Sequence, residues 1–135
     1  MDGQNLAYAA IQVVHNFGAV AVVGAAMGAL WLGPQGRRRA LAWTVLAGWA
    51  AQAASGGAFG AVSWLYYGQF PDIHGIAVAA LLVKMACAAA GFVLAALYLY
   101  RDTRWIAPVQ QTAWRALALL AVTALTAAAF LRWFS

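Results

Sequence analysis

Two histidines are the side chains of this sequence best suited to bind a metal. His15 stands inside a long apolar stretch near the N-terminus, and His74 follows Asp72 by two residues. Imidazole nitrogen is a common ligand of copper and of haem iron. We expect His15 to be either such a ligand or a buried histidine that hydrogen-bonds a neighbouring helix. His74 is expected to be a solvated residue at a helix start or, with Asp72, a capture site.

A second short segment contains side chains that could bind a metal or a polar partner: Lys84, Met85 and Cys87. Methionine and cysteine sulfurs are soft ligands that suit copper, although both residue types more often serve in packing. The lysine lies far from either end of its predicted helix, so its ammonium group cannot easily reach water. We expect it to pair with a polar neighbour, to act as a counter-charge, or to donate a hydrogen bond to His15.

The chain lacks a set of residues suited to hydrolysis. It contains no glutamate, and its acidic residues are Asp2 near the N-terminus and Asp72 and Asp102 in predicted loops. There is no phosphate-binding loop, no zinc-ligand spacing and no CxxC motif, since Cys87 is the only cysteine. Any catalysis would therefore require a bound metal or haem.

The proportion of apolar residues identifies the elements that must position these groups. Hydrophobic residues make up 66% of the 135 residues and charged residues 8%, whereas soluble domains carry roughly 25% charged residues. A membrane-spanning helix needs about 20 apolar residues. The sequence therefore predicts one all-α integral membrane domain over residues 1–135, an up-down-up-down four-helix bundle. Its helices are expected at about residues 6–32, 40–64, 73–100 and 112–134, with a break at Gly33-Pro34-Gln35-Gly36 and an N-cap at Asp72.

The arginines determine the expected orientation of the bundle. Five of them lie in the first and third predicted loops, and Arg115 begins the fourth helix. Basic loops stay in the cytoplasm, so we expect both termini outside the inner (plasma) membrane of a bacterium. The N-terminus lacks the basic region of a signal peptide, so the first helix is expected to be retained. Because the formal net charge of +5 lies beside hydrophobic segments, the expected partner is the lipid bilayer and not nucleic acid.

Polar residues within the helices predict a seam in the bundle interior, because polar side chains are costly in contact with lipid. At ~100° per residue, each helix places its polar residues along one stripe. Arg115, Thr123 and Thr126 form such a stripe in the fourth helix. The seam predicted around His15 near the membrane midplane consists of Gln12, Asn16, Gln52, Ser55 and Lys84.

Glycines indicate where helices approach closely, because the absence of a side chain lets backbones touch. The second helix is rich in glycine, which suits close packing, and Gly57 and Gly60 are expected at such a contact; its other glycines are Gly48 and Gly56. Gly24 and Gly28 form a GxxxG motif, which would pack another helix of the chain or a second protomer.

Two segments resemble the copper resistance protein D family of membrane proteins. The first runs from His15 to Gly24 and is similar to a family helix with a histidine followed by small residues, with Val22 in place of the family's tryptophan. The second is Leu81-Leu82-Val83-Lys84, followed by a long helix of small residues. It resembles the family's leucine-rich helix with an embedded lysine.

The resemblance implies a protein that moves or delivers copper across or at the membrane. His15 and Met85 would form a copper site within the membrane. His74 and Asp72 would form the site at the outer surface where copper enters the protein.

Two further functions are open. The histidines lie in two different helices, so His15 and His74 could hold haem b between them in a protein that passes electrons to or from quinone. The combination of histidine and lysine also resembles the small haem-binding protoporphyrinogen oxidase family of four-helix membrane proteins. Alternatively, the chain is a non-catalytic subunit of a membrane complex or a homo-oligomer, and its polar residues serve assembly alone.

Overall fold

A computed structural model describes residues 2–33 and 37–134 and confirms an all-α bundle of four helices. The predicted break after the first helix is visible at Gly33, which has a φ of 67°, while Pro34, Gln35 and Gly36 lie outside the described residues. No strand occurs in the described part of the chain. The helices are α1 (Asp2–Leu32), α2 (Arg38–Tyr67), α3 (Ile76–Arg101) and α4 (Ala107–Phe134).

The helices run up and down around a ring in chain order. α1 packs mainly on α2 and α3 on α4, and contacts of α2 with α3 and of α1 with α4 close the ring. Gln4 at the start of α1 donates to Tyr67 at the end of α2, so these two helices are antiparallel. We call the end with both termini and residues 68–75 the terminal end, and the opposite end, with Arg37 to Arg39 and Arg101 to Arg104, the arginine end.

Three helices are long and apolar enough to cross a membrane: α3, α4 and Gly3–Leu32 of α1. α2 has a similar length of 30 residues but a lower apolar content, because it carries polar residues and several glycines. Large apolar side chains cover much of the outside of the bundle, as at Phe17, Leu82 and Leu119. Such a surface suits contact with lipid and identifies a membrane protein.

The start of α3 differs from the prediction. The helix begins at Ile76 after Gly75, whose φ of 54° lies in the left-handed region that favours glycine. This turn separates Asp72 from the helix, so the N-cap predicted at Asp72 is wrong. The Asp72 carboxylate instead contacts the ring of His74.

α4 begins earlier than predicted, at Ala107 instead of Thr112. Pro108 does not interrupt it, because the first turn of a helix does not use the backbone N–H groups that proline lacks. The backbone N–H of Gln110 donates to the carbonyl of Ile106 and closes this first turn.

Alanine-rich surfaces and two glycine contacts hold the helices together. Gly48 belongs to the predicted glycine-rich part of α2, whereas Gly91 was not predicted. A Cβ at Gly91 of α3 would lie 2.3 Å from Nε1 of Trp49, and a Cβ at Gly48 of α2 would lie 2.7 Å from Val22 Cγ2. A Cβ at Gly57 would meet no atom within 4 Å, so the predicted contact there is wrong within this chain. A Cβ at Gly60 would touch only the ring of Phe70, at 3.6 Å.

The GxxxG motif of α1 also has open space beside it. A Cβ at Gly24 or at Gly28 would meet no atom within 4 Å. This motif therefore does not bring two helices of the chain together, and its packing against a second protomer stays a prediction.

Candidate functional site

A hydrogen bond between His15 and Lys84 crosses the centre of the bundle. Nζ of Lys84 lies 2.8 Å from Nε2 of His15. The two residues belong to α1 and α3, which face each other diagonally across the ring. Lys84 lies eight residues after the start of α3, or ~12 Å along the helix axis at ~1.5 Å per residue. A lysine side chain therefore spans the interior at a depth within the membrane-length part of the helix.

Ser55 of α2 binds the other nitrogen of the same ring. Its Oγ lies 2.7 Å from Nδ1 of His15 and donates to the carbonyl of Ala51. Because the hydroxyl proton is used there, Ser55 accepts a hydrogen bond from Nδ1–H of His15, which places the proton of the neutral ring on Nδ1. Nε2 then carries the lone pair and accepts from the Lys84 ammonium group. One network thus fixes the tautomer of His15.

Gln52, one turn from Ser55 on the buried face of α2, binds the backbone of the same residue. Its amide nitrogen donates to the carbonyl oxygen of His15. The ring of Phe59 meets the His15 ring edge-on with centroids 5.9 Å apart, and Tyr8 stacks on Phe59. The position and the ring plane of His15 are therefore both held by α2.

The cluster of His15, Gln52, Ser55 and Lys84 has no carboxylate partner among the described side chains. Asp72 pairs with His74 in the segment before α3, and Asp102 pairs with Arg39 at the arginine end. Two positive charges separated by 2.8 Å would repel each other by about 6 kcal/mol at an effective dielectric constant of about 20. The pair therefore carries at most one proton beyond the neutral ring and amine.

Part of the predicted seam lies outside this cluster. Gln12 donates to Asn16 with a nitrogen–oxygen distance of 2.7 Å, and both side chains are exposed. In α4, Arg115, Thr123 and Thr126 are exposed as well. Thr126 donates to the Val122 carbonyl of its own helix, which satisfies its hydroxyl without a neighbouring helix.

The residues predicted to bind copper are spread over several places. Met85 is 59% exposed, on a different side of α3 from the half-buried Lys84. Cys87 is buried one turn further along α3. Within the described residues, no three His, Cys, Asp or Glu side chains are grouped as metal ligands. Copper binding by His15 and Met85 stays a prediction.

His74 and Asp72 form a separate pair at the terminal end. Nε2 of His74 lies 3.1 Å from Oδ1 of Asp72, and both side chains are more than 80% exposed. His74 precedes α3, whereas His15 contacts the middle of that helix through Lys84. The structure does not bring the two histidines together, and haem binding between them stays a prediction.

Sequence reasoning identified all four residues of this cluster and missed Phe59, the aromatic residue that contacts the His15 ring. The expectation that Lys84 donates to His15 agrees with the geometry. Phe59 was overlooked because an aromatic residue in an apolar helix is indistinguishable from a lipid-facing one. Its spacing gave a usable signal, since Phe59 follows Gln52 and Ser55 by seven and four residues on the same face.

Comparisons with known proteins add no family to this geometry. No family model, no curated protein and no solved structure matches the chain.

Proposed function

We propose that the chain is a membrane protein whose His15–Lys84 pair takes up and releases one proton inside the bilayer, so that its activity is coupled to proton movement. The observation that carries this proposal is the 2.8 Å contact between Lys84 Nζ and His15 Nε2. Ionisable residues inside membrane segments are rare and mark proton relays or substrate pathways.

The proton has a short, defined route between the two residues. Lys84 gives a proton from Nζ to Nε2 of His15, which leaves a neutral amine and an imidazolium. Ser55 continues to accept from Nδ1, so the ring keeps its orientation during the transfer. Both residues are partly exposed, and the proposal requires that water or a substrate reaches them within the bundle.

Proton flux into liposomes tests this function. Full-length protein is reconstituted with a pH-sensitive dye inside, and a potassium diffusion potential drives protons inward. We expect the wild type to acidify the interior faster than protein-free liposomes, and His15→Ala and Lys84→Met to abolish the excess rate. Gln12→Ala is the matched control, because Gln12 is exposed and lies outside the cluster. Wild-type flux equal to that of empty liposomes would refute the proposal.

A second candidate is that His15 binds copper or haem iron, and the Ser55 contact favours it. Metal-binding histidines usually donate one ring N–H to an oxygen, which aims the other nitrogen at the metal. His15 has this arrangement, with Nε2 towards the interior, and Lys84 would have to move aside. The copper-handling function that the family resemblance implies would use His15 in this role.

Metal analysis and an absorption spectrum separate this candidate from proton exchange. Protein expressed with ample copper and haem is purified and assayed for bound copper and for the Soret band of haem. Retention of either in the wild type and its loss in His15→Ala supports a metal ligand. If neither is bound and proton flux is absent, the cluster serves assembly, as in a non-catalytic subunit of a membrane complex.

A further inference from the structure

The arginine end contains a basic cavity that is separate from the His15–Lys84 cluster. It has a volume of about 270 Å³ and opens to the surface. This is slightly below the ~300–1,000 Å³ of pockets for drug-sized ligands, so it suits a small group. The cavity is lined by Arg37, Arg38, Arg39, Tyr98, Asp102, Thr103 and Gln110.

The positive charge of this cavity is only partly neutralised. Arg39 binds the Asp102 carboxylate at 2.8 Å and also donates to the Leu99 carbonyl. Asp102 is the only acidic residue in the lining, and the Thr103 amide donates to its second oxygen. One carboxylate therefore faces three guanidinium groups.

Arg38 is the most unusual member of the lining because it is only 5% exposed. Its guanidinium group donates to the carbonyl of Gly33 at 3.1 Å and to the amide oxygen of Gln111 at 2.6 Å. Both acceptors are neutral. When the hydrogen-bond partners of a buried cation are neutral, an anion beside the cation stabilises it strongly.

The first turn of α2 adds to the same potential. The helix starts at Arg38, has no side-chain N-cap bond and has no acidic residue in its first turn. The start of α2, with the positive end of its helix dipole, therefore lies beside the cavity that Arg37, Arg38 and Arg39 line.

Aromatic residues place the cavity at the level where lipid headgroups lie. Trp31, Trp43 and Tyr100 near the arginine end are all more than half exposed. Exposed tryptophan and tyrosine of membrane proteins concentrate at the membrane–water interface. A phosphate at this level belongs either to a phospholipid or to the adjoining solution.

We propose that this arginine cavity binds a phosphate-bearing anion, with the phosphate contacting Arg37 and Arg38 beside the start of α2. The source expected from the interfacial position is the headgroup of an anionic phospholipid. Basic pockets between membrane helices are known to bind such headgroups. Dissolved inorganic phosphate has the same chemistry and is distinguished by experiment.

Thermal unfolding of the full chain in neutral detergent measures this binding. The midpoint is followed while phosphatidylglycerol, phosphatidylcholine or inorganic phosphate is added. We expect phosphatidylglycerol to raise the midpoint in a saturable manner and phosphatidylcholine to leave it unchanged. If inorganic phosphate saturates the same shift and phosphatidylglycerol adds nothing, the site binds dissolved phosphate. No saturable shift with either anion would overturn the proposal.

Two matched variants test whether the cavity itself binds. Arg37→Gln removes an exposed lining charge, whereas Arg104→Gln removes an exposed charge of the same end from outside the lining. We expect Arg37→Gln to raise the half-saturating lipid concentration at least about tenfold, as lost charged hydrogen bonds usually do. Arg104→Gln should change it by no more than about fivefold, the effect of one charge near an anionic surface. Equal losses in both variants would show diffuse surface attraction and contradict a defined site.

Discussion

At the scale of single residues, a cation inside the bundle is held by uncharged groups. Lys84 bonds to a neutral ring, and that ring is held by a hydroxyl of Ser55 and an amide of Gln52. Buried polar networks of this kind are stable only when every member is satisfied. Loss of one member therefore leaves a polar group of another member without a hydrogen-bond partner in an apolar environment.

The residue-scale prediction concerns Ser55. Ser55→Ala leaves Nδ1 of His15 without its acceptor, and we expect the free energy of unfolding to fall by about 1–3 kcal/mol. Thr126→Ala is the control, because Thr126 is exposed and bonds only its own helix, and it should change stability by less than about 0.5 kcal/mol. Chemical or thermal unfolding in one detergent measures both. Equal effects of the two substitutions would show that the Ser55 contact contributes nothing specific.

Residue types and helical spacing predicted the residues of this cluster, but not which neighbouring polar residues lie outside it. His15, Gln52, Ser55 and Lys84 were identified because polar residues in apolar helices are few. Gln12 and Asn16 were wrongly expected inside, because they share the face of His15. Being four residues apart, they satisfy each other along the helix, so neither needs a partner from another helix.

At the scale of helices, the length of each element was more predictable than its contact face. Apolar stretches located all four helices. α1 starts earlier and α2 ends later than predicted, at Asp2 and Tyr67, and the shifts at Gly75 and Pro108 reflect local backbone rules. Contact faces were harder, because a helix that is apolar all round gives no amphipathic signal. The glycines that touch a neighbour therefore could not be distinguished from those that face outwards.

The element-scale prediction compares two glycines. A Cβ at Gly91 would lie 2.3 Å from the Trp49 indole, whereas a Cβ at Gly57 meets no atom within 4 Å. Gly91→Ala should destabilise the bundle by about 1–3 kcal/mol, because the contact of α2 with α3 must open. Gly57→Ala should be neutral or stabilising by up to about 1 kcal/mol, because alanine favours helix. Their melting temperatures in detergent measure the difference, and a Gly57→Ala variant that melts lower than Gly91→Ala would contradict this packing.

At the scale of the whole molecule, the ends of the bundle differ in charge. The arginine end carries Arg37 to Arg39, Arg101 and Arg104 with Asp102, whereas the terminal end carries Arg132 with Asp2 and Asp72. Basic ends of membrane bundles stay in the cytoplasm. We expect the arginine end to follow this rule, and the antiparallel helix order then predicts both termini on the opposite side of the membrane.

Cysteine labelling tests this orientation in intact cells. In a Cys87→Ala background, cysteines at Gly3 and Gly68 should react with an impermeant thiol reagent added outside. A cysteine at Thr103 should react only after the membrane is permeabilised. Labelling of Thr103→Cys in intact cells, with protection of the other two positions, would invert the orientation and place His74 in the cytoplasm.

The bond between Lys84 and His15 is the central claim, and ring ¹⁵N NMR of histidine-labelled protein tests it most directly. A His74→Gln background leaves His15 as the only histidine of the chain. We predict that the ring proton resides on Nδ1, and that Lys84→Met shifts the Nε2 resonance by removing its hydrogen-bond donor. A ring proton on Nε2, or identical Nε2 resonances with and without Lys84, would contradict the account.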